Sequence, residues 1–217
     1  MSLSISDSSS LKKYIQKKKA AVSATLSYVT DMDNKKELRK QYSHLRSEIR
    51  DKVSKDLDIT ERLLQEEKIL EADNILLYAS FGSEVDTYLL IDKLIEMKKN
   101  VALPKCGPER SMTFHLIGSV ADLHEGMYRI PEPDNALPQP DTTQNSVCII
   151  PGLAFTEKGG RLGYGGGYYD EFIHDNPQLY TIALAYEELI VQELPLMQHD
   201  LKVDLIVTEE RTVLCND

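Results

Sequence analysis

The chain has 217 residues, of which 41% are hydrophobic and 28% are charged, so it is long enough for one globular domain with a sizeable core. Its net charge of −10 argues against sequence-independent nucleic-acid binding, which depends on many Lys and Arg contacts to phosphate. No apolar run approaches the ~20 residues of a membrane-spanning helix, and the polar, lysine-rich start lacks the apolar core of a secretory signal. We therefore expect no nucleic-acid partner, no membrane partner and a cytoplasmic location.

The first part of the chain is basic and the rest is acidic. Residues 1–55 carry 13 Lys and Arg against 6 Asp and Glu, whereas residues 56–217 carry 12 against 29. The basic part is either a solvated helix face or an arm that supplies positive charge to an anionic ligand. Apolar residues at helical spacing predict a helix over 11–29, and a second amphipathic helix is expected from Asn34 to Ile49.

Beyond a third helix, expected over 60–71, apolar runs alternate with helices. This alternation is typical of βαβ units, so we predict a three-layer α/β/α, Rossmann-like fold with a mostly parallel sheet and an N-terminal helical arm. Pro104 is expected to end the second strand, and the proline-rich stretch 118–145 is expected to be a long loop over one end of the sheet. The predicted strands are 75–79, 101–103, 147–150, 181–186, 205–208 and 212–215, with a helix over 87–99.

The most informative segment is rich in glycine. Within residues 159–167, here called the glycine segment, lie 6 of the 11 glycines, in the sequence EKGGRLGYGGGYYDEF. Glycine permits positive φ and close approach of the backbone to a ligand, and the helix expected to follow would offer free N–H groups to an anion. Arg161 adds a fixed positive charge. The segment matches neither GxxxxGK[ST] nor GxGxxG, so phosphate binding and a purely structural turn both stay open.

The glycine segment, with SEVDT upstream and HDLKVDLIVTEE downstream, resembles the 5-formyltetrahydrofolate cyclo-ligases, also called methenyltetrahydrofolate synthetases. The resemblance runs in order from about Lys35 to Glu210, and RLGYGGGYYD is highly specific to that family. It implies a single cyclo-ligase domain over 35–217, preceded by an extension over 1–34 that we expect to be helical. A monomer is expected by default.

The resemblance implies an ATP site. In the family, a Lys-x-x-x-Arg pair contacts ATP phosphate, and Lys35 and Arg39 have that spacing, one helical turn apart. The family's glycine loop wraps the triphosphate, and Arg161 would join Lys35 and Arg39 as the catalytic cations. The residues expected to bind ATP are Lys35, Arg39, Arg161, Leu162, Gly163, Tyr164, Gly165, Gly166, Gly167, Tyr168 and Tyr169.

The resemblance also implies magnesium. Asp170 and Asp200 match the family's magnesium-associated acids, and Mg²⁺ prefers one or two carboxylates together with phosphate oxygens and water. Without the resemblance, Asp170 is an ordinary acid in the first turn of a helix and Asp200 is a loop cap. Asp204 is the nearest competing candidate, and His199 is expected only to position Asp200.

Residues around Glu84 are implied to hold the folate. Glu84, in GSEVDT, matches the family's pterin-binding glutamate, and it follows a strand at the edge where open α/β sheets hold ligands. The alternative is an acid at the start of the next helix. Ala79 fits the position of a small wall residue, whereas Phe81 and Tyr128 are either apolar flanks of the ring system or ordinary aromatics. The residues expected to bind the substrate are Ala79, Phe81, Glu84, Tyr128, Tyr164, Gly165, Gly166, Gly167 and Tyr168.

The implied reaction is ATP- and magnesium-dependent cyclisation of 5-formyltetrahydrofolate to 5,10-methenyltetrahydrofolate, with release of ADP and phosphate through a phosphorylated formyl intermediate. No protein nucleophile is needed, which agrees with the lack of a GxSxG motif and with Cys106 as a small buried residue. Tyr164 and Gly166 stand where some family members carry Arg and Lys. Two rivals stay open: a non-catalytic folate- or nucleotide-binding regulator, and an ATP-dependent enzyme on another pterin-like or thiamine-related substrate.

Overall fold

The computed structural model describes residues 34–142, 145–197 and 200–215, without the side chain of Tyr128. The helix expected over 11–29 and the extension over 1–34, apart from its last residue, lie outside these ranges, as does His199. None of the helices within the described ranges combines the length and the apolar character that crossing a bilayer requires.

The helices agree with the sequence prediction except in one region. The helix expected over 60–71 is wrong in its bounds, because one helix ends at Leu63 and a separate short one begins at Glu67. The first half of that longer helix was missed since its buried residues, Ile59, Thr60 and Leu63, all lie near its end. The helices are α1 (34–48), α2 (Lys52–Leu63), α3 (Glu67–Glu71), α4 (Tyr88–Glu96) and α5 (Tyr168–Asp175).

The strands form one large sheet and two small ones. They are β1 (Asn74–Leu76), β2 (Asn100–Cys106), β3 (Met112–Ile117), β4 (Leu123–Glu125), β5 (Pro131–Pro133), β6 (Ser146–Ile150), β7 (Ala154–Thr156), β8 (Arg161–Leu162), β9 (Tyr180–Leu184), β10 (Ile190–Val191), β11 (Leu205–Val207) and β12 (Thr212–Leu214). The large sheet has the order β12-β11-β9-β6-β1-β2-β3. Its inner strands pair in parallel, and the edge strands β3 and β12 are antiparallel, which confirms the mostly parallel sheet.

Three predictions about the first half of the sheet are wrong. The strand expected over 75–79 ends at Leu76, as β1. Pro104 does not end the second strand, because β1 stops opposite Ala102 and β2 continues as an edge paired with β3 alone, where proline is tolerated. The stretch 118–145 is not entirely loop, because β4 and β5 pair within it. Pro131 and Pro133 lie in β5. Both strands of this two-stranded sheet are edge strands, where proline is tolerated.

Helices cover both faces of the large sheet. Successive strand residues point to opposite faces, so Ile75 and Leu76 of β1 belong to different hydrophobic clusters. The cluster around Ile75 contains buried residues of α2, α3 and α4, whereas the cluster around Leu76 contains Ile173 of α5. These two clusters confirm the three-layer α/β/α architecture.

The strand order creates a switch point. From β1 the chain passes to β2 on one side, and then returns to β6 on the other side of β1. In open parallel sheets, a ligand crevice lies outside the carboxyl ends of the strands where the order reverses. The chain that follows β1, residues 77–87, and the chain that follows β6, beginning at Pro151, therefore border the expected crevice.

Candidate active site

A cavity of about 480 Å³ lies at this switch point. Such a volume, with mostly apolar walls and a few convergent polar groups, is typical of a site for a small organic molecule. The walls come from the segment after β1, from Pro151, from β2 and β3, and from the glycine segment with the start of α5. Of the predicted site residues, the cavity is lined by Ala79, Phe81, Glu84, Arg161, Gly163, Tyr164, Gly165, Gly166, Gly167, Tyr168, Tyr169 and Asp170.

Glu84 is the buried acid on the β1 side of the cavity, with 6% of its surface exposed. Its Oε2 accepts the Phe81 N–H at 2.9 Å, and its Oε1 accepts the Tyr164 hydroxyl. Burial raises the pKa of Glu84, against these hydrogen bonds and the nearby cations. Glu84 does not cap the start of α4. Asp86 does so instead, because its Oδ1 accepts the Tyr88 N–H at 2.8 Å.

The other predicted folate residues lie on the same walls. Ala79 is buried beside the cavity, as expected for a small wall residue. Phe81 is 44% exposed, and its ring centroid lies 6.1 Å from that of Tyr164. Tyr128 lies in the turn Met127–Arg129, and Met127 lines the cavity; the side chain of Tyr128 is outside the described atoms.

The glycine segment folds against α1. Arg39 Nε donates to the Gly163 carbonyl oxygen at 3.0 Å. Gly165 has φ of +97°, and a Cβ atom there would lie 3.1 Å from Arg39 Cζ, so this position requires glycine for both conformation and space. The side chain of Leu162 is buried with Leu153, which leaves only its backbone for a contact with nucleotide.

Arg161 lies buried between the end of β6 and the start of α5. Its Nη1 donates to the Pro151 carbonyl oxygen at 3.1 Å and its Nη2 donates to Asp170 Oδ2 at 2.9 Å. Its Nε is buried and has no hydrogen-bond partner among the described atoms. Burial would raise the pKa of Asp170, but the Arg161 guanidinium and the Leu201 N–H outweigh it, so the pKa lies below its usual value.

Lys35 and Asp200 form a second pair of a buried cation and an acid. Lys35 Nζ donates to Asp200 Oδ2, although the two residues are 165 positions apart. The Leu201 N–H donates to Asp170 Oδ1 at 3.1 Å, so Asp200 lies close to the Arg161 pair. Asp204, the competing metal candidate, bonds a different residue. Its Oδ2 accepts both the N–H and the hydroxyl of Thr181 at 2.7 Å.

The donor set of this region fits magnesium only with additional ligands. No group of three or more His, Cys, Asp and Glu residues that could hold a metal occurs in the described ranges. Two carboxylates close together, Asp170 and Asp200, match the usual protein share of a magnesium site in which phosphate oxygens complete the coordination.

Sequence reasoning missed Arg46, which is 5% exposed. Its Nε donates to Ser83 Oγ at 3.0 Å, and its Nη1 donates to the Gly152 carbonyl oxygen at 3.0 Å and to the Tyr164 hydroxyl at 2.7 Å. The signal was present, because Lys35, Arg39 and Arg46 are spaced by four and seven residues and share one face of a helix.

Cys106 is only partly buried, contrary to expectation, and it lines the cavity without the lowered pKa of a catalytic thiol. Burial raises the pKa of its thiol to about 11, so the sulfur carries its proton at neutral pH. The charged residues that line the cavity are one cation, Arg161, and the three acids Glu84, Glu132 and Asp170. That no protein nucleophile takes part stays a prediction.

Comparisons with known proteins agree with these features. Residues 31–209 match the sequence profile described as the 5-formyltetrahydrofolate cyclo-ligase family. The chain is 28% identical over 176 residues to a probable 5-formyltetrahydrofolate cyclo-ligase of Schizosaccharomyces pombe, covering 74% of this chain and 86% of the relative. It is 26% identical over 186 residues to the 5-formyltetrahydrofolate cyclo-ligase of Mus musculus, covering 80% and 91%. The NMR structure of Aquifex aeolicus 5,10-methenyltetrahydrofolate synthetase superposes with a TM-score of 0.73 at 26% identity, covering 84% and 93%.

Proposed function

The chain belongs to the 5-formyltetrahydrofolate cyclo-ligase family and is a ligase of that kind, and from this premise we propose that it uses ATP and magnesium to convert 5-formyltetrahydrofolate to 5,10-methenyltetrahydrofolate. The observation that carries the proposal is a single cavity bordered by the Glu84 carboxylate and by Arg161 with the glycine segment. One cavity thus offers a hydrogen-bond acceptor for the folate and positive charge for the triphosphate.

The folate would bind on the β1 side of the cavity. The Glu84 carboxylate can accept hydrogen bonds from the amino group and the ring N–H of a pterin. Ala79 and Phe81 supply apolar surface next to it. Because the carboxylate is buried, an analogue without those donors would leave its remaining lone pairs without a partner, which disfavours binding of that analogue.

The triphosphate would bind along the glycine segment. Arg39 bonds the glycine segment, Arg161 lies within it, and Lys35 pairs with Asp200; Arg161 also has an N–H without a partner among the described atoms. In this proposal Lys35 exchanges Asp200 for phosphate oxygens, Arg161 stays fixed by Pro151 and Asp170 and acts through its charge, and Asp170 and Asp200 hold the metal. Magnesium, when bound, neutralises phosphate charge during transfer of the phosphoryl group.

The chemistry requires positioning and charge stabilisation. The formyl oxygen on N5 attacks the γ-phosphorus, and ADP leaves; N10 then attacks the activated formyl carbon, and hydrogen phosphate leaves with the former formyl oxygen and the N10 proton. The protein holds the two substrates in line, and Arg161, Lys35 and Arg39 stabilise the charge on the transferring group. The Cys106 thiol has no part in these steps.

The rival functions have less support. A non-catalytic regulator would be favoured by the loss of Lys35, Arg39, Arg161 or Asp170, and all four are present. An enzyme for a thiamine-related substrate would not require a buried carboxylate at Glu84. The single domain over 35–217, the monomeric state, the cytoplasmic location and the absence of a nucleic-acid partner stay predictions.

Removing magnesium provides a test of the metal site. Chelation with EDTA should abolish turnover, while the dissociation constant of 5-formyltetrahydrofolate, measured by calorimetry, should change less than about 3-fold, because the folate wall contains no metal ligand. Asp170→Asn and Asp200→Asn should each raise the magnesium concentration needed for half-maximal turnover by about 10-fold or more.

The matched control is Glu171→Gln, because Glu171 is an exposed acid next to Asp170 in the first turn of α5. It should leave the magnesium requirement unchanged. Full turnover in EDTA, or an equal shift in the control variant, would contradict the assignment of Asp170 and Asp200.

A further inference from the structure

We propose that Arg46 and Tyr164 form a positioning relay that orients the Glu84 carboxylate toward the folate. The inference deepens the proposed function and rests on it for the identity of the ligand. Neither residue is assigned this role by the match to the family. In this account Tyr164 acts through Glu84, and its hydroxyl is not itself a contact to nucleotide.

The relay begins on α1. The Arg46 guanidinium is buried and fixed by three acceptors: Ser83 Oγ, the Gly152 carbonyl oxygen and the Tyr164 hydroxyl oxygen. Ser83 precedes Glu84, and Gly152 follows the Pro151 that lines the cavity. A planar guanidinium held at three points has one orientation, so it fixes the chain after β1 relative to the chain after β6.

Tyr164 is the middle member. Its hydroxyl oxygen accepts from Arg46 Nη1 at 2.7 Å, and its proton is donated to Glu84 Oε1. A phenol hydroxyl has one proton to donate. Because an arginine can only donate, the hydroxyl accepts from the arginine and gives its proton to the carboxylate. Burial raises the pKa of Tyr164 far above the neutral range, so the proton stays available for donation.

Glu84 is the end of the relay. The Phe81 N–H occupies Oε2 and the Tyr164 hydroxyl occupies Oε1, which fixes the carboxylate plane at the cavity wall. Each carboxylate oxygen has a second lone pair, and these remain for the donors of a pterin edge. Without the relay, the carboxylate would keep a single local hydrogen bond and could rotate away.

The relay also bears on the charge of Glu84. Burial raises the pKa of this carboxyl group, and the Tyr164 hydrogen bond is the foremost of the contacts that lower it. A protonated Glu84 would present a donor to the pterin's own donors, so loss of the relay would weaken folate binding most at low pH. The charged and titratable groups around Glu84 are Arg46 of α1, Lys52 of α2, Tyr78, Asp86 and Tyr88 on its own side, Tyr186 after β9, and Tyr164 and Tyr169 across the cavity.

Tyr164 lies between two glycines that contact Arg39. The Gly163 carbonyl oxygen accepts from Arg39, and Gly165 packs on the same arginine. A single helix, α1, thus holds the glycine segment through Arg39 and the folate acid through Arg46. The phenol of Tyr164 connects the two halves of the cavity.

A titration that needs no substrate tests the relay. In protein labelled with ¹³C at glutamate Cδ, the Glu84 resonance is assigned by its loss in Glu84→Gln, and its pKa is read from the shift with pH. Tyr164→Phe, which removes one oxygen, should raise the Glu84 pKa by about one unit. Tyr180→Phe, a tyrosine of β9 outside the lining of the cavity, is the matched control and should leave it unchanged.

Kinetics tests whether the relay is used. Tyr164→Phe should lower kcat/KM for 5-formyltetrahydrofolate about 10-fold at neutral pH and more at lower pH, with the KM for ATP changed less than about 3-fold. In the Glu84→Gln background the same change should have almost no further effect, since the residues act as a unit. Arg46→Lys should have a higher kcat/KM for 5-formyltetrahydrofolate than Arg46→Met.

The outcomes separate the relay from the proposed function. An unchanged Glu84 pKa in Tyr164→Phe, or losses that multiply fully in the double variant, would overturn the relay. Because the titration does not depend on turnover, it decides the relay even if the wild-type protein closes no ring, a result that would contradict the proposed function instead.

Discussion

Arg161→Met is expected to lower kcat by about 1,000-fold, because it removes the fixed charge at the glycine segment from a phosphoryl transfer that has no protein nucleophile. The guanidinium is buried, holds Asp170 and the Pro151 carbonyl, and keeps one N–H free of partners among the described atoms. A group held in this way needs no reorganisation when charge develops in the transition state. Steady-state turnover with saturating ATP and folate measures the effect.

The same substitution will also lower stability. The buried Pro151 carbonyl oxygen loses a hydrogen-bond donor, which costs about 1–3 kcal/mol, whereas the Asp170 side chain is 33% exposed and keeps the Leu201 N–H. Turnover is therefore compared at a temperature where circular dichroism shows each variant folded. Arg161→Lys keeps the charge and should retain more activity than Arg161→Met.

Arg211→Met is the matched control for the loss of an arginine. Arg211 forms ion pairs with Glu157 and Glu187 and is not part of the cavity lining. It should keep wild-type kcat. A folded Arg161→Met variant with kcat within about 3-fold of wild type would show that the charge of Arg161 plays no part in the reaction.

Glu84→Gln is expected to raise the KM for 5-formyltetrahydrofolate by about 100-fold and to leave the KM for ATP within about 3-fold. The substitution keeps the shape of the side chain but replaces an anionic acceptor with an amide, whose NH₂ group meets the donors of the pterin. A buried polar group that loses its complement is worth a large factor in specificity. Initial rates over a grid of the two substrate concentrations give both constants.

Asp86→Asn is the control for Glu84→Gln, because Asp86 lies two residues away and bonds the Tyr88 N–H at the start of α4. An asparagine keeps that acceptor, so both KM values should stay near wild type. Equal rises in the folate and ATP constants of Glu84→Gln would argue against a contact between Glu84 and the pterin.

The parallel core of the fold was predictable because its signals are local. Residues 147–150 are an apolar run between polar stretches, and they form most of β6. Strand ends were less predictable, since Pro104 is tolerated only because β1 stops opposite Ala102, a fact of register that no single segment contains. β3 was missed because the polar residues Thr113 and His115 interrupt its apolar residues.

The site divides in the same way. Glu84, Arg161 and Asp170 lie in compact motifs, so a resemblance finds them. The pairing of Lys35 with Asp200, and the contact of Arg46 with Tyr164, join residues 165 and 118 positions apart and appear only once the chain is folded. Helical spacing could have identified Arg46 as a site residue, but it could not have identified Tyr164 as its partner.

The conversion itself is the most direct test of the account. Purified protein is mixed with 5-formyltetrahydrofolate, ATP and magnesium, and the near-ultraviolet absorbance of the methenyl product is followed beside a sample without ATP. The band should grow only with ATP, and one ADP should form for each methenyl group. No ATP-dependent band, with folate binding still detectable by calorimetry, would contradict it and favour a non-catalytic regulator.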